Sequence, residues 1–219
     1  MQVALKIAMS TTTLFSMLFF STMLFRFSIR KSTVVLLLLA AFITANFNYM
    51  VINIWGMQVI EPVLSLLIQS MMLFLILRIK AHHALIITFF GVIVYTLILG
   101  VMILIVNIIN GVSHSEILLA NQYIFIIKIP TVLVMWLLSS YLYRSRFGFT
   151  LVSGKSFSRT NLLVGHKFVL TFLLALLVFI VAIYAMMVHS GYMVWIMLSF
   201  FVALVVMLFY LYKKEMDGD

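Results

Sequence analysis

The sequence predicts an all-α polytopic transmembrane helix bundle, and three observations carry that prediction. Hydrophobic residues make up 66% of the 219 residues and charged residues only 9%, for a mean hydropathy of +1.28. A fold of this size leaves a large share of its surface exposed, so that much apolar side chain cannot be hidden from water and the solvent must be lipid. Apolar runs close to the roughly 20 residues that cross the roughly 30 Å hydrocarbon layer recur along the chain. Lys and Arg, finally, collect after alternate runs only, which is how membrane proteins encode their orientation.

Seven spans follow in order. Residues 7–25 form the first; Arg26, Arg30 and Lys31 follow it, and with no small-residue cleavage pattern it reads as a span rather than a signal peptide. Residues 33–52 form the second, ending in the polar-aromatic turn Asn53, Ile54, Trp55, Gly56, Met57. The third, 60–77, carries Glu61 and Pro62 in its first turn, where proline costs least and a carboxylate suits the helix dipole; Arg78 and Lys80 close it. The fourth is 84–106, followed by a polar loop over 107–121 with Asn110, Gly111, Ser113 and His114. The fifth, 122–143, leads into a charged, glycine-bearing loop over 144–167. Residues 168–188 and 192–212 close the chain as a hairpin turned at His189, Ser190 and Gly191. Barrel strands are a poor alternative, because they would alternate polar and apolar residues, whereas 34–39 and 170–183 are apolar on every side. The whole of 1–219 reads as one integral membrane domain.

The basic residues sort onto one side. They follow spans one (Arg26, Arg30, Lys31), three (Arg78, Lys80), five (Arg144, Arg146, Lys155, Arg159, Lys167) and seven (Lys213, Lys214). The segments after spans two, four and six hold no Lys or Arg, which places the N-terminus outside and the C-terminus in the cytoplasm. Lys6 alone sits on the other side. The net charge of +9 is thereby explained by insertion into a lipid bilayer and needs no nucleic-acid partner. The 144–167 loop is also placed to lie against anionic headgroups.

Catalytic chemistry is sparse, and the chain does not read as an enzyme. With no cysteine there are no disulfides, thiolate metal sites or cysteine nucleophiles. None of His82, His83, His114, His166 and His189 has the i, i+4 partner and glutamate of a helical zinc protease, so no metal is expected; His82 and His83 read as a solvated turn. Of the acids, Glu215, Asp217 and Asp219 crowd the C-terminal tail. Residues 153–156, SGKS, lack the earlier glycine and the strand of a phosphate-binding loop. No cofactor is expected.

Polar residues inside the spans carry what functional signal there is. Asn46, Tyr49 and Asn53 fall at i, i+3 and i+7 on span two; Glu61, Ser65 and Gln69 at i, i+4 and i+8 on span three. Asn121, Lys128, Thr131 and Ser139 share a stripe on span five. Ionisable groups in hydrocarbon are costly, and Lys128 lies about six residues, or roughly 9 Å, below the outer boundary, so Lys128 and Glu61 should point inward, toward each other or toward a ligand. Pro130 cannot donate to the carbonyl of Ile126 and should kink span five one turn from its lysine. Two readings stay open: a ligand cavity lined by Asn46, Tyr49, Asn53, Glu61, Ser65, Gln69, Lys128 and Thr131, or interhelical hydrogen bonds worth about 0.6 kcal/mol each with a snorkelling lysine. Trp55 and Tyr192 read as interfacial anchors.

The segment QSMMLFLILR at 69–78 with the following apolar span, the exit YLYRSRFGFT at 141–150, and LYKKE at 211–215 resemble the multi-span sensor region of Agr-type peptide-pheromone receptor histidine kinases of Gram-positive bacteria. The resemblance covers almost the whole chain and implies an outward-facing peptide site, signalling through the last span and a bacterial cell membrane. The phosphoacceptor segment and ATP-binding domain of that family have no counterpart before Asp219. The expected function is therefore a receptor-like or regulatory membrane protein that senses an extracytoplasmic peptide or small amphiphile and acts through a cytoplasmic or membrane signalling partner. The alternative is a membrane transport component, such as a substrate-binding subunit served by a separate ATPase.

Overall fold

A computed structural model describes residues 2–27, 30–57, 60–110, 121–145, 147–149 and 193–216. These form six helices: α1 (Gln2–Leu24), α2 (Lys31–Asn53), α3 (Glu61–Leu77), α4 (Ala81–Asn110), α5 (Asn121–Ser145) and α6 (Met193–Met216). Among the described residues there is no strand. Among the described residues four segments are long and apolar enough to cross a membrane, namely Val3–Leu24, Lys31–Asn53, Ala81–Ile109 and Phe125–Ser145, and they mark the chain as an integral membrane protein. At 17 residues α3 is shorter, about 25 Å of helix. The expected span at 168–188, most of the 144–167 loop and the 111–120 stretch lie outside the described residues.

Several helices outrun their expected bounds. α1 begins at Gln2 rather than at 7, which brings Lys6 inside the helix. α4 takes in Asn107 to Asn110 from the expected loop. The tail continues α6 to Met216, as suits Lys, Glu and Met, good helix formers, with lysines favoured near a helix C-terminus. α5 runs through Pro130.

α4 is the centre of the bundle and packs against α1, α3, α5 and α6. Its Ile86, Ile87, Phe89, Phe90 and Ile93 are all buried, as expected of a helix that is apolar all round. α2 packs on α1 and α3 through a narrow face of small residues, including Ala40, Ala41, Thr44 and Ala45, while Val35, Leu36, Leu39 and Phe42 face outward as lipid-facing residues. α1 and α4 approach closely at Gly91, where a Cβ would lie 2.7 Å from the Met17 carbonyl oxygen and 2.9 Å from the Ser21 hydroxyl. Most hydroxyls of α1 bond carbonyls of their own helix, for example Thr11 to the Ile7 carbonyl (2.8 Å) and Ser21 to the Met17 carbonyl (2.7 Å), so these enter an apolar bundle without orphaned donors.

The two ends of the bundle differ. At one, α1 ends in the left-handed Arg26 (φ 50°), and Phe25 meets Phe90 edge-on at 5.7 Å and Phe149 at 6.2 Å. The Phe149 amide donates to the Leu24 carbonyl (2.8 Å), which seats the segment after α5 on the end of α1. Arg30, Lys31, Arg78, Lys80 and Arg144 stand at this end by chain position. His82 and His83 belong to the first turn of α4; His82 is exposed as a solvated turn requires, but His83 is 6% exposed and packed, because the helix starts three residues earlier than the apolar run.

Candidate functional site

The opposite end holds a cavity in two chambers. The outer chamber, about 520 Å³, lies between α1, α2, α3 and α5; its polar lining is Lys6, Ser10, Asn48, Tyr49, Asn53, Glu61 and Lys128. The inner chamber, about 320 Å³, continues between α1, α3 and α4 and adds Thr13, Ser65, Gln69, Tyr95 and Thr96. Ser10, Asn48, Glu61 and Lys128 border both.

Local sequence explains how each group arrives there. Glu61 opens α3 with Pro62 in the first turn, so its carboxylate stands at a helix N-terminus. Ser65 and Gln69 follow at four-residue intervals on the same face and lead down into the inner chamber. Lys128 enters from α5 three residues after Phe125, which lines the outer chamber. The charges of Glu61 and Lys128 interact across the cavity, and Lys6 adds a second positive charge on the α1 side.

The polar contacts converge on Ser65. Its hydroxyl oxygen accepts from the Asn48 side-chain amide (3.1 Å) and from the Gln69 side-chain amide (3.2 Å), which ties α2 to α3. The Asn48 amide also lies beside the Glu61 carboxylate. Both amide groups spend their nitrogen in this way and leave their carbonyl oxygens, Asn48 Oδ1 and Gln69 Oε1, buried with no hydrogen-bond partner. Asn48 is 7% and Gln69 1% exposed, and a buried orphan acceptor typically costs about 1–3 kcal/mol. In the inner chamber the hydroxyls of Thr13 and Tyr95 meet across α1 and α4.

Of the residues the sequence singled out, Tyr49, Asn53, Glu61, Ser65, Gln69 and Lys128 line this cavity. Asn46 does not: its amide donates back to the Phe42 carbonyl (2.8 Å). Thr131 does not either; it is fully buried and bonds the Ile127 carbonyl (2.7 Å), and Ser139 does the same with Met135 (2.7 Å). The cavity face of α2 holds Ala45, Asn48, Tyr49, Ile52 and Asn53, its centre rotated by about 60° from that of the stripe Asn46, Tyr49, Asn53, at 100° per residue. Asn48 is among the lining residues that the sequence stripes leave out, and its signal is its place at the end of the small-residue face formed by Ala41 and Ala45. Lys6 was missed as a lining residue, though it is the one cation that breaks the charge pattern.

An acceptor-rich wall of Glu61, Ser65, Gln69 and Asn48 thus faces a cationic wall of Lys128 and Lys6, with apolar Leu5, Ile7, Ile52 and Phe125 around the outer chamber. The volume falls in the usual range of small-ligand sites, about 300–1,000 Å³. Such an arrangement has the charge and hydrogen-bonding groups to hold a partly charged ligand, and among the described residues that line it no nucleophile and base form a reacting pair. Among the described residues no cluster of three or more His, Asp or Glu is placed to hold a metal. Comparison with family models, with curated proteins and with solved structures finds no match to the chain.

Proposed function

We propose that the chain is a seven-span bacterial membrane protein, N-terminus outside and C-terminus cytoplasmic, that binds an extracytoplasmic peptide or small amphiphile in the two-chamber cavity and acts through a partner protein. The single observation that carries this reading is the position of the charged cavity. Glu61 and Lys128 occupy the end of the bundle opposite the basic helix ends, so a cytoplasmic location for those basic residues turns the outer chamber outward. Buried ionisable groups in a membrane segment are expensive and stay where a pathway or ligand uses them. The resemblance to Agr-type sensors favours a peptide. Binding at α1, α2, α3 and α5 would reach the other end through rigid helices, above all α1, whose last turn holds Phe149 of the segment following α5.

The test is photolabelling of the full chain in nanodiscs with a neutral diazirine-bearing amphiphile and with its positively charged analogue. Label from the neutral probe is expected on peptides containing Tyr49 and Phe125. Label confined to lipid-facing Leu36, Leu39 and Leu137 with both probes would contradict a ligand cavity. The transport reading draws on one observation, the polar track that continues from Glu61 through Ser65 to Gln69, about 12 Å down α3. Uptake of a labelled substrate that depends on a co-expressed ATPase would favour it.

A further inference from the structure

We infer that the cavity selects a zwitterion, a ligand carrying a primary ammonium and an anionic group. The inference rests on the ligand-cavity reading above and goes further by naming the chemistry that fits. The two walls are of opposite character. On α2 and α3 stand a carboxylate, Glu61, and two buried carbonyl oxygens, Asn48 Oδ1 and Gln69 Oε1, with no donor to satisfy them. An ammonium supplies N–H donors and a positive charge, which suit the Glu61 carboxylate at the cavity surface, while the two carbonyl oxygens beneath it add negative potential to the same wall. On α5 and α1 stand Lys128 and Lys6, which have donors and positive charge and call for an anion.

A purely cationic ligand would meet both lysines, and a purely anionic one would meet Glu61, so each is repelled by one wall. A zwitterion satisfies both at once. Glu61 and Lys128 border both chambers, so the charged head sits where the chambers join, and the apolar lining of the outer chamber takes the remainder of the molecule. This chemistry is shared by a free amino acid or short peptide with open termini and by the headgroup of phosphatidylethanolamine.

The experiment uses the full chain in nanodiscs of pure phosphatidylglycerol, which has no amine, with tritiated leucyl-leucine as the probe. Saturable binding is expected, with N-acetyl-leucyl-leucine and leucyl-leucine amide competing at least about tenfold more weakly. Glu61→Gln should remove the penalty for acetylation, and Lys128→Met the penalty for amidation. Binding of leucyl-leucine with these discriminations identifies a free zwitterion as the source. If leucyl-leucine does not bind but native mass spectrometry retains phosphatidylethanolamine on the wild-type chain and not on Glu61→Gln, the headgroup is the source. Equal competition by all three compounds would overturn the charge requirement. Retention of neither compound would overturn the proposal as well. The analogue series is read on wild-type protein, so a misfolded variant does not obscure it. The neutral photoprobe reports separately on whether the cavity takes any ligand, so a failed zwitterion test and a failed cavity reading give different results.

Discussion

Replacing Asn48 with leucine separates a structural role for the polar cluster from a ligand-binding one. Asn48 donates across the helices to Ser65 at 3.1 Å, stands beside the Glu61 carboxylate as a second interhelical partner, and carries one buried carbonyl oxygen without a donor. In membrane bundles an interhelical hydrogen bond is worth about 0.6 kcal/mol, because the unfolded helix also finds partners in the bilayer. Removing the orphan acceptor returns about 1–3 kcal/mol, toward the lower end for the same reason. Leucine is close to asparagine in shape, and the site adjoins Ala45, so overpacking is small. The net expectation runs from no change to a gain of about 2 kcal/mol, together with loss of ligand binding. The assay is equilibrium unfolding in mixed micelles of rising SDS fraction, followed by helix circular dichroism, with Gln69→Met as a companion. The two changes should not add, since both amides donate to the same hydroxyl of Ser65. A loss above about 2 kcal/mol for Asn48→Leu, well beyond its two interhelical contacts, would show the orphan oxygen to cost little and make the cluster a structural tie.

Other perturbations address other parts of the account. Lys128→Met leaves Glu61 without its compensating charge, so adding Glu61→Gln should cost less than the sum of the two single losses, with a coupling of about 0.5–3 kcal/mol in a double-mutant cycle; strict additivity would show that the two charges act independently. Gly148→Ala should undock the segment after α5: the residue has φ +153°, and a Cβ there would strike the Leu24 carbonyl oxygen. A cost of about 1–3 kcal/mol corresponds to a fall of roughly tenfold to a hundredfold in hydrogen-exchange protection of the Phe149 amide, and unchanged protection would contradict the docking. A photoreactive p-benzoylphenylalanine in place of the exposed Arg144 should capture one specific cytoplasmic or membrane partner; recovery of lipid alone would count against action through a partner.

Much of the bundle was legible in the sequence because lipid imposes a coarse and strong constraint. Length and apolarity place α1, α2, α4 and α5 within a few residues, and charges or Pro62 mark where most helices turn. Ends were less legible. Lys6 and the Asn107 to Asn110 stretch read as flanks, yet polar residues near a membrane boundary extend a helix at little cost because water is close. The candidate site was legible by depth but not by rotation. Asn46 and Asn48 are equally polar, and what decides between them is which side of α2 meets α1 and α3; the signal was the small residues Ala41 and Ala45, which permit that approach. Thr131 illustrates the converse: a hydroxyl in a stripe is satisfied by its own helix as readily as by a ligand, and its spacing cannot tell the two apart.

On the proposed topology the charged cavity opens to the outside while the basic helix ends face the cytoplasm. The chain has no cysteine, so single cysteines introduced at Asn53, exposed on the outer chamber, and at Lys80, exposed beyond α3, can each be titrated with a membrane-impermeant maleimide on intact cells. The expected result is rapid labelling of Asn53→Cys on intact cells and labelling of Lys80→Cys only after permeabilisation. Labelling of Lys80→Cys from outside with Asn53→Cys protected would invert the molecule and contradict an extracytoplasmic ligand site.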